Sequence, residues 1–217
     1  MAPVVADIST VEGSSAIAGT APGAFGRLDF CINNAAVAPH AALLDERVEV
    51  WDTVYAVNCR GTFLMTQAAA RLLIAQGDGG RIVNFSSGVS QRGSAGAAAY
   101  ASSRAATEAF SRVAAVELAV HDILVTCVSP GLIDTQPKPL PPSMAASLGS
   151  RIPALPLARP GEPSEVADVV LWLCSPGSSY VTGSIVHVDG GTGVGSRAGK
   201  EIVDEDIRYD WVTGRRR

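Results

Sequence analysis

The chain contains 217 residues, of which 47% are hydrophobic and 18% charged, and its formal net charge is −4 with a pI near 5.4. This length suits one domain with a sizeable core, and the acidic balance excludes the basic stripe of a nucleic-acid-binding surface. No apolar run reaches the length of a membrane-spanning helix, and the N-terminus lacks the pattern of a signal peptide. We therefore expect a soluble, cytoplasmic protein that binds neither nucleic acid nor membrane.

Short apolar runs and helical stretches alternate along the chain, as they do in repeated β–α–β units. Five runs bounded by turn residues predict strands, over residues 3–8, 29–35, 81–87, 123–130 and 183–189. The stretches between them predict helices, over residues 45–76 (two helices, separated near 58–61), 100–120 and 164–174. In the helix over 100–120, the spacing predicts a core stripe made by Phe110, Val113, Ala114 and Leu118. The alternation predicts an α/β protein built on a parallel sheet.

The cysteines and histidines predict neither a disulfide framework nor a metal site. The four cysteines lie far apart, at positions 31, 59, 127 and 174, and none forms a C-x-x-C pair. Cys31 and Cys127 fall in apolar strand-like runs, which favours buried free thiols in a reducing compartment. The three histidines, at positions 40, 121 and 187, form no cluster.

One pair of side chains on the predicted helix 100–120 has the chemistry of a proton-transfer site. Tyr100 and Arg104 are four residues apart, so they share one face of a helix. A phenol beside a permanent cation ionises more easily and can then exchange a proton with an alcohol near neutral pH. Ser87, thirteen residues before Tyr100, offers a hydroxyl that could hold the substrate oxygen. Taken alone, Y-x-x-x-R is a weak motif, because any helix can carry one aromatic residue and one solvated cation.

Five further segments form an ordered set around this pair. They are CINNAA (31–36), VNCRGTF (57–63), RIVNFSS (81–87), VSPGLIDT (128–135) and a longer stretch over 158–191. In this order and spacing they resemble the motifs of the short-chain dehydrogenase/reductase family, from about Val4 to Gly191. The resemblance implies a Rossmann-like, doubly wound parallel sheet. It also implies an oxidoreductase that transfers hydride between NAD or NADP and a secondary alcohol or carbonyl compound.

The resemblance also implies a role for individual residues. Tyr100 would be the acid/base, Ser87 the partner of the carbonyl oxygen, Asn58 the holder of a water molecule and Arg104 the contact to the nicotinamide ribose. No metal is implied. The residues implied to bind the cofactor are Asp7, Ile8, Asn33, Asn34, Ala35, Tyr100, Arg104, Pro130, Gly131, Ile133 and Thr135.

Arg104 departs from the family pattern, which has lysine at this position. Arginine keeps the positive charge, but its planar guanidinium is bulkier and practically never deprotonates. The family lysine takes part in a proton relay, so we expect slow turnover, or none, with arginine in its place.

The N-terminal part is a second departure. The segment ADIST (6–10) resembles the family's third strand, and no glycine-rich turn of the kind that holds a pyrophosphate precedes it. We therefore expect a domain without the first two strands, with exposed strand edges and weak dinucleotide binding. The segment 11–25 matches a family helix in length, but Gly13, Gly19 and Gly23 each disfavour a helix by about 1 kcal/mol.

These observations divide the chain into an incomplete domain of this family over 1–191 and a C-terminal extension over 192–217. Residues 136–163 hold eight of the 13 prolines, and we interpret them as a substrate lid, since long loops in compact domains are usually functional. We interpret the extension as a solvated tail. Its apolar residues could instead pack on the lid or on a neighbouring subunit; they are Ile202, Ile207, Tyr209 and Trp211.

The resemblance implies a homodimer or homotetramer that acts on a small-molecule alcohol or ketone. A catalytically silent relative that serves as a binding or interaction protein is the alternative. A third interpretation is an incomplete chain whose full version is the enzyme, and a fourth, which the sequence does not favour, is epimerisation or dehydration. The choice between NAD and NADP and the identity of the substrate cannot be derived from the sequence.

Overall fold

The computed structural model of the chain describes residues 1–135 and 142–196, together with two short strands at 209–210 and 215–216. Four parallel strands form one sheet in chain order. They are β1 (Phe30–Asn33), β2 (Gly80–Phe85), β3 (Ile123–Pro130) and β4 (Ile185–Val188). A separate antiparallel pair joins β5 (Tyr209–Asp210) to β6 (Arg215–Arg216). The four strands confirm the predicted parallel α/β architecture.

Six α-helices are present in the described part of the chain. They are α1 (Val11–Phe25), α2 (Val48–Tyr55), α3 (Thr62–Gln76), α4 (Ala98–Leu118), α5 (Pro142–Arg151) and α6 (Pro163–Cys174). The predicted separation near 58–61 is one wider turn of π-helix, Ala56–Gly61, which joins α2 to α3. Turns of this kind occur often at functional sites. None of these helices is long and apolar enough to cross a membrane.

Two apolar clusters cover the two faces of the sheet. Leu73, Ile82 and Val125 belong to the cluster under α3 and α4, whereas Val83 and Val128 pack with α6 on the other face. Adjacent residues of one strand therefore enter opposite clusters, as expected for a sheet with helices on both faces. The predicted buried free thiols are confirmed at Cys31 and Cys127. Burial raises the pKa of these two thiols to about 12 and about 11, respectively.

The segment 11–25 forms a continuous helix, despite its glycines, because both of its ends are capped. The Thr10 hydroxyl accepts a hydrogen bond from the Gly13 amide at 3.0 Å, and Gly26 ends the helix with φ 82°, a conformation that favours glycine. Gly13 itself permits a close approach. A Cβ there would lie 2.0 Å from the Asp7 carbonyl oxygen.

The prediction of a strand over residues 3–8 is wrong, because these residues join no sheet. A strand needs a neighbour for its backbone hydrogen bonds, and no described strand lies beside this segment. β1 likewise pairs only with β2 among the described strands. Phe30 and Ile32 lie on the opposite face of β1 from the buried Cys31 and Asn33, and they are 49% and 40% exposed.

The predicted core stripe of α4 is only partly correct. Ala114 is buried, whereas Val113 is 55% exposed. The buried face of the helix is instead largely polar, with Ser103, Thr107 and Ser111 turned inward. Each of these hydroxyls donates to a backbone carbonyl of α4, which makes its burial tolerable.

Candidate active site

A cavity of about 680 Å³ lies beyond the carboxyl ends of β1, β2 and β3. In open α/β sheets this is the place where ligands bind. Three of the predicted catalytic side chains, Ser87, Tyr100 and Arg104, line this one cavity. Its opposite wall is apolar and includes Val166 and Val170 of α6. A polar corner therefore faces an apolar wall, the usual arrangement of a small-molecule site.

Arg104 is almost completely buried, at 3% exposure. Its Cζ atom lies 5.2 Å from the centre of the Tyr100 ring, within the range of a cation–π contact. Its Nη1 donates to the Phe85 carbonyl oxygen at 2.7 Å, and its buried Nε has no hydrogen-bond partner among the residues that the structure describes. The guanidinium is thus held between the end of β2 and the aromatic ring. The four-residue spacing predicted the contact with Tyr100 but not the one with Phe85.

Ser87 follows the end of β2 and begins a short 3₁₀ turn, Gly88–Ser90. Its carbonyl oxygen accepts a hydrogen bond from the Ser90 amide at 3.0 Å, and the Ser90 hydroxyl oxygen lies 2.8 Å from the same carbonyl oxygen. These contacts fix the backbone of Ser87 at the mouth of the cavity, on the same side as Tyr100.

Asn58 is fully buried in the π-helical turn and does not line the cavity. Its side-chain amide forms two 2.9 Å hydrogen bonds with the backbone of Val37, one in each direction. Its Nδ2 also lies 3.2 Å from the Ser103 hydroxyl on α4. Asn58 therefore ties the loop after β1 to α4. Its role as a water holder stays a prediction.

The residues of the NNA segment (33–35), at the end of β1, have different surroundings. Asn34 lines the cavity, whereas Ala35 is exposed outside it. Asn33 is buried, and its Nδ2 donates to Asn84 Oδ1 at 2.8 Å. Asn84 in turn donates to the Ser111 hydroxyl at 2.8 Å. Asn33 thus belongs to a buried polar network that joins β1, β2 and α4, and networks of this kind specify one arrangement of the core.

Asp7 and Ile8 lie outside the cavity. Asp7 is exposed, and hydrogen bonds from Ser9 hold the pKa of its carboxyl below the usual value. Ile8 packs against the start of α3, where a Cβ on Gly61 would lie 2.9 Å from Ile8 Cδ1. The N-terminal segment therefore closes over the π-helical turn.

The loop after β3 lines the cavity through Pro130, Gly131, Ile133 and Thr135. Gly131 is required for its course, because a Cβ there would lie 2.7 Å from the Cα of Asp189. A single parallel bridge joins Ile133 to Gly161. This bridge brings together the two ends of the segment that was predicted to be a lid.

Sequence reasoning missed Phe85, Ser86 and Glu108. Phe85 supplies the carbonyl that holds Arg104, and the Ser86 hydroxyl donates to the buried Glu108 carboxyl. One signal was available, because Tyr100, Arg104 and Glu108 follow one another at intervals of four residues on one helix face.

Comparison with known proteins places this geometry in a family. A family model described as enoyl-(acyl carrier protein) reductase matches residues 1–193. The chain belongs to the short-chain dehydrogenase/reductase family. It is 42% identical to the 3-oxoacyl-[acyl-carrier-protein] reductase FabG of Thermotoga maritima, over 77% of this chain and 67% of that protein. It is 44% identical to the (3R)-3-hydroxyacyl-CoA dehydrogenase of Rattus norvegicus, over 69% of this chain and 57% of that protein.

Solved structures agree with this membership. The acetoin dehydrogenase YohF from Salmonella typhimurium superposes with a TM-score of 0.78 at 35% identity, over 89% of this chain and 78% of that one. Members of the short-chain dehydrogenase/reductase family are oxidoreductases that use NAD or NADP. The predicted family and its Rossmann-like fold are confirmed. The chain spans about two thirds, or less, of the length of the curated relatives named here.

Proposed function

We propose that this chain is an NAD- or NADP-dependent oxidoreductase that interconverts a secondary alcohol and a carbonyl compound. The observation that carries the proposal is the meeting of Ser87, Tyr100 and Arg104 at one cavity beyond the carboxyl ends of the strands. A hydroxyl, a phenol and a fixed cation are the groups that polarise a carbonyl oxygen and exchange a proton with it. Membership of an oxidoreductase family supports the same reaction class.

In this proposal the Tyr100 hydroxyl gives its proton to the substrate oxygen during reduction and takes it back during oxidation. The Ser87 hydroxyl donates a hydrogen bond to the same oxygen. Arg104 holds a permanent positive charge against the Tyr100 ring, where it stabilises the negative charge that develops on the phenol during proton transfer. Asn58 positions α4 through its contact with Ser103.

The residues around the cavity fit the nicotinamide end of the cofactor. The buried Arg104 Nε, which is unpaired within the described part of the chain, and the loop carrying Gly131 and Thr135 provide polar groups beside an apolar wall. Asn34, Pro130, Gly131, Ile133 and Thr135 would hold this end. When bound, the dinucleotide donates or accepts the hydride. Contacts from Asp7, Ile8, Asn33 and Ala35 to the cofactor remain predictions, since these residues lie outside the cavity.

An apolar carbonyl compound fits this site best. The wall formed by Val166, Val170 and Leu171 offers no hydrogen-bonding side chain, so the carbon skeleton of the substrate would pack there. Relatives named for 3-oxoacyl, 3-hydroxyacyl and acetoin substrates support compounds with the oxygen on a secondary carbon. The segment 136–163 would cover the substrate, since its ends are joined by the bridge between Ile133 and Gly161. Residues 136–141 lie outside the described part of the chain.

A homodimer or homotetramer is part of the proposal. Val116 near the end of α4, Val120 in the 3₁₀ turn that follows it and Trp172 on α6 are exposed apolar side chains, and such patches mark association surfaces. A cytoplasmic location is supported by the four free thiols, which suit a reducing compartment.

The C-terminal extension, apart from residues 192–196 and the backbone of the two short strands, lies outside the described residues, so its proposed role as a solvated tail stays a prediction.

Tyr100→Phe tests the proposed function. We expect kcat to fall by at least about a hundredfold, because this change removes the proton-transfer group while it leaves the volume of the side chain almost unchanged. The assay follows NADH and NADPH oxidation with a panel of ketones that includes acetoin and acetoacetyl-CoA. Tyr180→Phe is the matched control, since Tyr180 is fully exposed. Turnover by Tyr100→Phe equal to that of the parent would disprove the assignment. If the parent itself binds the dinucleotide but turns over no ketone, the chain is a silent binding protein.

A further inference from the structure

A buried carboxyl group binds the residues on either side of the proposed catalytic serine. Glu108 lies on α4, one turn beyond Arg104 and two beyond Tyr100, and is only 6% exposed. Its Oε1 accepts hydrogen bonds from the Ser86 hydroxyl and the Ser90 hydroxyl, both at 2.5 Å. Glutamate is almost never buried unless it is paired, and here its partners come from both sides of Ser87 in the sequence.

The backbone around Ser87 is attached to α4 at further points. Arg104 Nη1 donates to the Phe85 carbonyl oxygen at 2.7 Å, just before Ser86. The Ser90 hydroxyl, which reaches Glu108, also lies 2.8 Å from the Ser87 carbonyl oxygen. Residues 85–90 are therefore fastened to one face of a 21-residue helix, the same helix that carries Tyr100.

We propose that Glu108 is a positioning residue for Ser87, a role that rests on the proposed function. By binding the hydroxyl groups of Ser86 and Ser90, it holds the segment 86–90 at a fixed place relative to α4. The placement of the Ser87 hydroxyl relative to the Tyr100 hydroxyl follows from this attachment. A displacement of about 1 Å in such a pair can cost on the order of a hundredfold in rate. Glu108 itself does not line the cavity, whereas Ser86 does, so Glu108 acts on the site through its hydrogen-bond partners.

The experiment compares Glu108→Ala with Glu108→Gln in the full chain. Alanine removes the acceptor, whereas glutamine keeps an oxygen at the same distance from the helix. Glu117→Gln is the matched control, because Glu117 is an exposed acid on the same helix. Hydrogen–deuterium exchange is measured on peptides covering 86–90, and kcat and KM are measured with the ketone panel.

For Glu108→Ala we expect exchange in 86–90 to rise by about tenfold or more, while peptides of β3 keep their protection. The value of kcat should fall by about 10- to 100-fold, with KM for the dinucleotide unchanged within about twofold. Glu108→Gln should restore the protection of 86–90 and most of kcat. A purely structural role would not produce this split between kcat and KM, nor its rescue by glutamine.

A second variant tests the proposal in case Glu108→Ala does not fold. The double substitution Ser86→Ala and Ser90→Ala removes the donors and leaves α4 intact, and it should loosen 86–90 in the same way. Exchange in 86–90 that matches the parent in both variants would overturn the proposal, as would a rise spread evenly over the whole chain. If the parent turns over no ketone, the proposed function fails, whereas local loosening of 86–90 still supports the anchoring role of Glu108.

Discussion

Between α4 and β2, buried polar side chains from both elements share hydrogen bonds, as Asn84 does with Ser111 and Ser86 with Glu108. On β1 only one face has such partners: Asn33 is buried and donates to Asn84, whereas Phe30 and Ile32 on the other face remain half exposed. The groups on β2 and α4 that would meet the substrate are held by buried hydrogen bonds, in which Phe30 and Ile32 take no part.

The largest expected contrast is in stability. Leu73 on α3 is fully buried in the interior cluster, so Leu73→Ala should lower the free energy of unfolding by about 2–5 kcal/mol. Phe30→Ala at the open edge should cost about 1 kcal/mol or less, because half of that side chain already contacts water. Urea denaturation of both variants checks the contrast. Equal losses would show that Phe30 is covered in solution and is as important to stability as the interior cluster.

A smaller effect is expected at Arg104, the buried position where the family pattern has lysine. Arg104→Lys should raise kcat/KM by about three- to tenfold, or about 1 kcal/mol of transition-state stabilisation. This expectation follows from the family pattern, which has lysine at this position as the proposed contact to the ribose and member of a proton relay. The measurement is steady-state turnover of the best ketone at saturating dinucleotide. A fall in kcat/KM would instead show that the buried site, with its contact to Phe85, has adapted to arginine.

At the N-terminal segment, the cap of α1 is expected to matter by about 1 kcal/mol. Thr10→Ala removes the hydroxyl that accepts from the Gly13 amide, and loss of such a cap typically costs this much. Thr20→Ala serves as control, since the Thr20 hydroxyl is exposed and bonds only to its own helix. Thermal unfolding of the two variants provides the check. A Thr10→Ala variant as stable as the parent would mean that the segment before α1 is not held in place.

The smallest effect concerns an exposed ion pair outside both regions. The hydrogen bond from Arg159 holds the pKa of Glu165 at about 2. Because the native pKa lies below that of the unfolded chain, the contribution is present above the ordinary glutamate pKa and disappears as the pH falls towards 2. The Tm difference between the parent and Glu165→Gln should therefore be small at neutral pH and shrink in acid. A difference that persists at pH 2 would contradict the assigned cause.

Local spacing was enough to predict the elements that carry the site. The apolar runs at 81–87 and 123–130 correspond to β2 and β3, and the four-residue interval predicted the contact between Tyr100 and Arg104. These features depend on neighbours close in sequence, where periodicity and helix geometry act directly. The resemblance of the ordered motifs added the family, which the comparisons confirm.

Features that depend on contacts with residues far away in the sequence were visible only in the tertiary structure. The run at 3–8 has strand character but no strand beside it, and Val113 has core character but faces outward. Asn33 and Asn58 follow family motifs, yet the fold turns their side chains into buried hydrogen bonds rather than into the cavity. Glu108 reads as one acid on a helix, and only the packing of α4 on residues 85–90 gives it two hydroxyl partners. A strand, a buried polar group and a positioning contact are each completed by residues far along the chain, which no local pattern specifies.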